Sequence, residues 1–136
     1  MKLSEAILLG STLSQQCFGT YEVRIVIPGK TTHVMRCALG SALAAAGQND
    51  VDQAIRLWPY ISDRVACPEC SMTAALGSLV IHLNDDRRWT REKIAAFVAD
   101  YENNFVPREQ LEPVARESQI NQNEENHEPV NQLNGK

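Results

Sequence analysis

The chain has 136 residues, of which 43% are apolar, and its formal net charge is -4. This length and apolar content fit one domain with a buried core. The acidic balance disfavours a general nucleic-acid binder, which would present a broad positive field, and favours a protein or small-molecule partner. No apolar run is long enough to cross a bilayer, and the apolar part of the opening segment is shorter than a signal-peptide core. We therefore expect a cytoplasmic protein whose four cysteines are reduced.

The first predicted elements are a helix and a β-hairpin. Ser4 is a candidate cap for the helix, which should end before Gly19. Alternating apolar residues on both sides of a Pro-Gly turn then predict a hairpin over residues 21–35. Its register stays open, because a two-residue loop would pair Ile25 with Thr32, whereas a three-residue loop would pair it with His33.

The remaining predicted elements are four helices, over residues 37–46, 51–58, 72–83 and 91–105. Each has apolar residues at helical spacing, and the last begins at Thr90, a favourable capping residue. The predicted fold is therefore mainly α, about five helices, with one small β-hairpin between the first two. Residues 1–106 form the predicted helical domain. The segment 107–136 is rich in Asn, Gln and Glu and is predicted to be a disordered tail.

The tripeptide Leu-Gly-Ser occurs three times, at Gly10, Gly40 and Gly77, each time within a predicted helix. Glycine costs about 1 kcal/mol in a helix relative to alanine, so something should compensate. Close packing of helix backbones is one explanation. A divergent internal repeat is the other, although the unequal spacings speak against it.

Cys67 and Cys70 have the C-x2-C spacing with which two thiolates can hold one Zn²⁺ from a tight turn. Such a pair can also be a redox dithiol, if one sulfur lies at a helix N-terminus. A turn with two incidental cysteines is the third interpretation. The pattern lacks the βαβ crossover of a thioredoxin-like domain, which argues against the redox reading.

A structural zinc site needs two further ligands. His33 and Cys37, at the predicted junction of hairpin and helix, are the first choice and would complete a Cys3His set with Cys67 and Cys70. His82 or Cys17 could replace either of them.

His82 lies close in sequence to Asp85 and Asp86, and these residue types serve in proton transfer or in holding a divalent cation. The alternative is an ordinary helix end, with Asp85 in the terminating turn and the imidazole at the negative end of the dipole. No nucleotide-binding or nucleophile-elbow motif is present in the chain.

The basic residues Arg87, Arg88, Arg91 and Lys93 surround Trp89 and are candidates for contact with nucleic acid or another partner. They could bind phosphates at a helix start while the indole stacks on a base. Neighbouring acidic residues nearly cancel their field, so a solvated turn is the competing interpretation.

The chain also resembles a family of short uncharacterised bacterial and prophage proteins, over about residues 3 to 100. Members often have His where Arg87 or Arg88 stands and Trp where Phe97 stands. The resemblance implies a bacterial or phage setting and no assigned activity. It rests on the following segments: Leu3-Ser4-Glu5-Ala6-Ile7, Cys37-Ala38-Leu39-Gly40, Cys67-Pro68, His82-Leu83-Asn84-Asp85-Asp86, Trp89-Thr90-Arg91-Glu92 and Ile94-Ala95.

We therefore predict a non-enzymatic binding or accessory protein with a structural zinc. One alternative is a small metal-dependent or acid-base enzyme that uses His82 with Asp85 or Asp86. The other is a DNA-associated regulator that uses the basic turn and helix at residues 87–93.

Overall fold

A computed structural model describes residues 1–111 of the chain. The predicted tail lies outside the described residues from position 112 onward. No helix in the described part is both long enough and apolar enough to cross a membrane. The elements, in chain order, are α1 (Leu3–Ser11), β1 (Gln15–Gln16), β2 (Glu22–Ile25), β3 (His33–Arg36), α2 (Ala38–Ala45), α3 (Gln53–Leu57), a 3-10 helix (Pro59–Ser62), β4 (Arg64–Ala66), β5 (Thr73–Ala75), α4 (Leu76–Asp85), α5 (Arg91–Phe105) and α6 (Arg108–Leu111).

The prediction of a mainly α fold with one hairpin is wrong. Residues 1–111 form a mixed α/β structure, with six α-helices and five short strands in two small sheets. The strands that the sequence did not indicate have two or three residues each. Alternation of apolar and polar residues cannot be recognised over so short a span.

The first sheet has the strand order β1-β3-β2. β2 and β3 form the predicted hairpin, with Ile25 opposite His33, but the connection runs over residues 26–32 and is longer than either expected loop. β1 pairs in parallel with β3, with Gln15 opposite Met35. The first helix therefore ends at Ser11, because the backbone that follows it pairs with β3 in the sheet.

The second sheet is a hairpin of β4 and β5, in which Ala66 lies opposite Thr73. Its loop is the segment 67–72, which contains the C-x2-C sequence. The predicted fourth helix begins at Leu76 rather than at Met72, since the backbone of Thr73–Ala75 pairs with β4. The second sheet thus places residues 67–72, with their two cysteines, at the tip of a hairpin.

The core lies where α1 packs on α2 and α5, with α4 covering it from another side. A buried polar residue, Asn84, holds α4 in place. Its side-chain oxygen accepts from Ala38 N at 3.0 Å and from Gln16 Nε2 at 2.8 Å, and its nitrogen donates to Cys17 O at 2.9 Å. The largest fully buried apolar side chains are Trp58, Tyr60, Leu3, Ile7, Leu76, Leu79, Leu83, Ile94, Val80 and Val98.

Two of the Leu-Gly-Ser segments lie where backbones approach closely. A Cβ at Gly10 would lie 1.9 Å from the carbonyl oxygen of Ser41, and one at Gly40 would lie 2.1 Å from the carbonyl oxygen of Tyr21. Neither position can accept a side chain without movement of backbone. These contacts support close packing as the explanation of the repeated tripeptide.

Candidate metal centre

The tip of the β4–β5 hairpin brings two sulfur atoms to one side of the turn. Cys67 N donates to the carbonyl of Met72 at 2.8 Å, which closes the loop, and Glu69 N donates to the sulfur of Cys67 at 3.4 Å. Cys67 is buried and Cys70 is exposed. A C-x2-C turn whose backbone N–H groups point at sulfur is the arrangement that stabilises thiolates beside a metal.

α4 contributes a third donor from the opposite side. Ligand atoms of Cys67, Cys70 and His82 all lie within 4.8 Å of one another, so the three residues form a group that could hold a metal ion. His82 Nε2 lies 3.6 Å from the sulfur of Cys70. The side chain of His82 is only 14% exposed, and the packing of α4 on the core fixes its position.

Asp86 orients the imidazole of His82. It is the C-cap residue of α4, and its Oδ2 lies 2.8 Å from His82 Nδ1. With a proton on Nδ1, the carboxylate accepts a hydrogen bond and Nε2 faces the sulfurs with its lone pair. Histidines that bind metals are commonly held in this way by a carboxylate on the other nitrogen.

The electrostatics of the group favour charge separation between sulfur and imidazole. Burial raises the pKa of the Cys67 thiol, but hydrogen bonds from Glu69 N, Cys70 and His82 together lower it below its usual value. The hydrogen bond to Asp86 raises the pKa of His82, and burial opposes this shift only in part. A thiolate beside an imidazolium is a state in which a metal ion can displace the imidazolium proton.

Glu69 connects the turn that contains Cys67 and Cys70 to the segment between α4 and α5. Its Oε1 accepts from Trp89 Nε1 at 2.6 Å, and its Oε2 accepts from Arg87 Nε at 3.0 Å. Lys93 Nζ lies 3.9 Å from the same carboxylate and 3.9 Å from the centre of the Trp89 ring. Trp89 and Arg87 accordingly lower the pKa of Glu69. The hairpin tip and His82 are therefore held at a defined separation.

The residues that were predicted to contact nucleic acid or another partner are engaged in contacts within the protein. Arg87 and Trp89 are bound to Glu69, and the guanidinium of Arg88 stacks on the ring of Phe18 at 4.1 Å. Arg91 is 6% exposed and donates to the backbone carbonyls of Ser11 and Ser14. The four residues do not form one open basic face.

The predicted ligands His33 and Cys37 lie apart from the cysteine turn. His33 is exposed on β3, and Cys37 is buried as the N-cap of α2, where its sulfur accepts from Gly40 N at 3.3 Å. Cys17 is also buried, and its thiol donates to Thr20 O at 3.4 Å. Neither His33 nor Cys37 belongs to the group formed with Cys67 and Cys70.

The structure instead brings in His82, which the sequence offered as a replacement ligand. The signal in the sequence is the spacing of His82 and Asp86, four residues apart on one helix face, where the carboxylate can orient the ring. Asp85, the other acidic residue considered with His82, accepts from Asn84 Nδ2 at 2.8 Å and lies away from the imidazole contact. The carboxylate partner of His82 is Asp86.

A polar cleft of about 540 Å³ lies elsewhere, between the first sheet, α2 and the loop before α3. Glu22 lies in its lining and is shared by Arg24 at 3.1 Å and Arg36 at 3.2 Å. Asp50 also lies in the lining, so the two arginines face two acidic residues and the cleft gives no preference for a ligand of either sign.

Comparison of the chain with family models, with curated proteins and with solved structures found no match. The feature of the described residues that bears on function is therefore the geometry of Cys67, Cys70 and His82.

Proposed function

We propose that the protein is a small accessory protein that holds one zinc ion between the β4–β5 turn and α4. The observation that carries this proposal is the group of ligand atoms from Cys67, Cys70 and His82, all within 4.8 Å of one another. His82 enters that group with its other nitrogen bound to Asp86.

The donor set favours zinc over the hard cations. Thiolate and imidazole are ligands of Zn²⁺, whereas Mg²⁺ and Ca²⁺ take oxygen donors. Two thiolates and a neutral imidazole also balance the charge of a divalent ion. The hydrogen bond from Glu69 N to the sulfur of Cys67 supports the thiolate form that such an ion requires.

The role of the ion is structural in this proposal. β4 and β5 have three residues each, and an isolated two-stranded hairpin of this size is marginally stable in water. A metal shared with His82 would attach the hairpin to the core through α4. Metal binding of this kind contributes directly to the folding free energy.

We propose that the protein acts in the cytoplasm and binds another protein. Thiolate ligands require reduced cysteines, which a reducing compartment maintains. The net charge of -4 disfavours a polyanion. Ile25, Val26 and Ile27 are 44%, 71% and 40% exposed and form an apolar segment of the kind found at protein contacts.

The test is metal content per chain, measured by plasma mass spectrometry on protein purified without chelator. We expect one zinc in the wild-type protein and a large loss in Cys67→Ser and His82→Ala. Cys37→Ser and His33→Ala are matched controls; serine is a favourable N-cap, so the first preserves the start of α2. The proposal is wrong if the wild-type protein binds no zinc, or if the controls lose it as well.

A second candidate function follows from the same residues used without a metal. Cys70, His82 and Asp86 form a chain of contacts, 3.6 Å from sulfur to Nε2 and 2.8 Å from Nδ1 to carboxylate. A nucleophile, a base and a group that orients the base are the components of thiol-based acyl transfer. Cys70 is exposed, as a nucleophile must be.

Alkylation by iodoacetamide at neutral pH tests this candidate. A catalytic Cys70 should react faster than a free peptide thiol in metal-free protein, and His82→Ala should remove the difference. Reaction at the rate of a peptide thiol would exclude the enzyme. Bound zinc would block the same thiol, so the alkylation rate with and without zinc separates the two candidates.

A further inference from the structure

We infer that a metal ion held by Cys67, Cys70 and His82 keeps one coordination position for a small exogenous ligand with a single sulfur, nitrogen or oxygen donor. This inference rests on the proposed zinc function and goes beyond it, because a purely structural site is closed by four protein ligands. Three protein ligands with a fourth, exchangeable position characterise sites that bind or activate small molecules.

The carboxylates nearest to the group are directed elsewhere. Both oxygens of Glu69, which lies between the two cysteines in sequence, are engaged by Trp89 and Arg87. The carboxylate of Asp86 lies on Nδ1 of His82, on the side of the ring opposite the sulfurs. To ligate the ion, either carboxylate would have to give up the contacts that position the site.

The other cysteines and the second described histidine are also engaged or remote from the group. The thiol of Cys17 donates a hydrogen bond to Thr20 O, and the sulfur of Cys37 caps α2. His33 is at the exposed start of β3 in the other sheet. Within residues 1–111, the only cluster of three or more metal-type donors is Cys67, Cys70 and His82.

The group is open to solvent on one side. That side is marked by Cys70, which is exposed, whereas Cys67 is buried against the turn. A fourth ligand can therefore arrive from solvent without movement of the core. Water would hold the position in the absence of a better donor, and a small thiol or anion would replace it.

The test uses the full chain with Co²⁺ in place of zinc, because the visible spectrum of Co²⁺ reports the number and type of its ligands. Thiolate-to-metal bands that vanish in Cys67→Ser establish binding at the group. Thiocyanate, azide and 2-mercaptoethanol are then titrated separately. We expect a saturable change of the visible bands with at least one probe, and the same change in His33→Ala.

Three results would overturn the inference. Cobalt bands that stay unchanged with every probe would indicate a closed site. A spectrum that changes in His127→Ala would identify the fourth ligand as a residue of this chain beyond position 111. A spectrum that depends on protein concentration would indicate a ligand from a second copy. Failure of cobalt and zinc to bind at all would contradict the proposed function itself, so the two failures are distinguishable.

Discussion

Arg91 and Glu102, both on α5, lie at opposite ends of α1. The guanidinium of Arg91 donates to the carbonyls of Ser11 at 3.2 Å and Ser14 at 2.6 Å, at the C-terminal end of α1. The carboxylate of Glu102 accepts from Ser4 N at 3.3 Å, in the first turn of that helix. A cation at the negative end and an anion at the positive end both complement the helix dipole.

Glu102 is only 1% exposed, so its carboxylate depends on hydrogen-bond donors from the protein rather than from water. Its oxygens accept hydrogen bonds from Tyr60 OH and Ser4 Oγ, and Tyr60 OH accepts from Leu3 N at 3.0 Å. Burial and this contact with Glu102 raise the pKa of Tyr60. A carboxylate with several donors thus replaces the capping side chain that the sequence predicted at Ser4.

We predict that Glu102→Ala destabilises the protein by about 3 kcal/mol or more, because buried donors of Tyr60 and Ser4 lose their acceptor, at about 1–3 kcal/mol each. Urea unfolding followed by circular dichroism measures the difference. Glu92→Ala, at an exposed position of the same helix, is the control and should stay within about 1 kcal/mol. Equal effects at the two positions would contradict the role assigned to Glu102.

We predict that Gly10→Ala lowers the free energy of unfolding, although alanine favours a helix by about 1 kcal/mol. The new methyl group would meet the backbone of Ser41, and overpacking typically costs about 1–3 kcal/mol or more. Gly77→Ala is the comparison, since its Cβ would lie 2.9 Å from a side-chain atom, Cγ1 of Ile61, rather than 1.9 Å from a backbone oxygen. A thermal melt should show the larger loss at Gly10.

We predict that Asp86→Asn weakens zinc binding by about 10–100-fold without abolishing it, as expected for loss of a carboxylate that orients a ligand. Competition with a chromophoric chelator measures the affinity. Asp100→Asn, on α5, is the control and should bind zinc as the wild-type protein does. An affinity unchanged in Asp86→Asn would show that His82 needs no orientation from this residue.

The pH dependence of stability should have opposite signs with and without metal. In the metal-free fold Asp86 raises the pKa of His82, so this contribution to stability is fully present below the unfolded value of about 6.5. It is lost as the pH rises through the raised pKa. Zinc requires the neutral imidazole, so the stabilisation by zinc should increase over the same interval.

Thermal melts of metal-free and zinc-loaded protein, from about pH 5 to about pH 8, measure both trends. The difference between wild-type protein and Asp86→Asn isolates the pair with His82. In the metal-free state, that difference should shrink as the pH rises. A difference independent of pH would show that the hydrogen bond between the two side chains does not depend on the charge of the ring.

We also predict no mobility shift of duplex DNA at low salt. Arg87 and Trp89 are bound to Glu69, and Arg91 is buried, so few of the basic groups can reach phosphate. Glu69→Gln provides the comparison, because it removes the anion that offsets Arg87. A shift with the wild-type protein would restore the hypothesis of a DNA-associated regulator.

The longer helices could be predicted from the sequence. The apolar stripe of α5 and its cap at Thr90 are local features, and Thr90 Oγ1 accepts from Lys93 N at 3.1 Å as expected. Gly47, which directly follows the predicted helix over residues 37–46, has a φ of 73°, a conformation that glycine adopts without strain. Local propensity and periodicity suffice in these places, because the deciding interactions lie within one or two helical turns.

Only part of the candidate site could be predicted from the sequence. The C-x2-C spacing identified Cys67 and Cys70, since both ligands belong to one turn. The choice among His33, Cys37, Cys17 and His82 depends on which elements pack together, which no local pattern encodes. The pairing of β4 with β5 and the anchoring of α4 by Asn84 make that choice.

By itself the sequence determined the α2, α4 and α5 helices, the β2–β3 hairpin and the cysteine turn, because these depend on hydrogen bonds and apolar spacing among near neighbours. The tertiary structure decided the end of α1, the second sheet, the partner of the two cysteines and the burial of Arg91 and Glu102. These features arise from contacts between residues far apart in the chain, and their free energy exists only once the helices have packed.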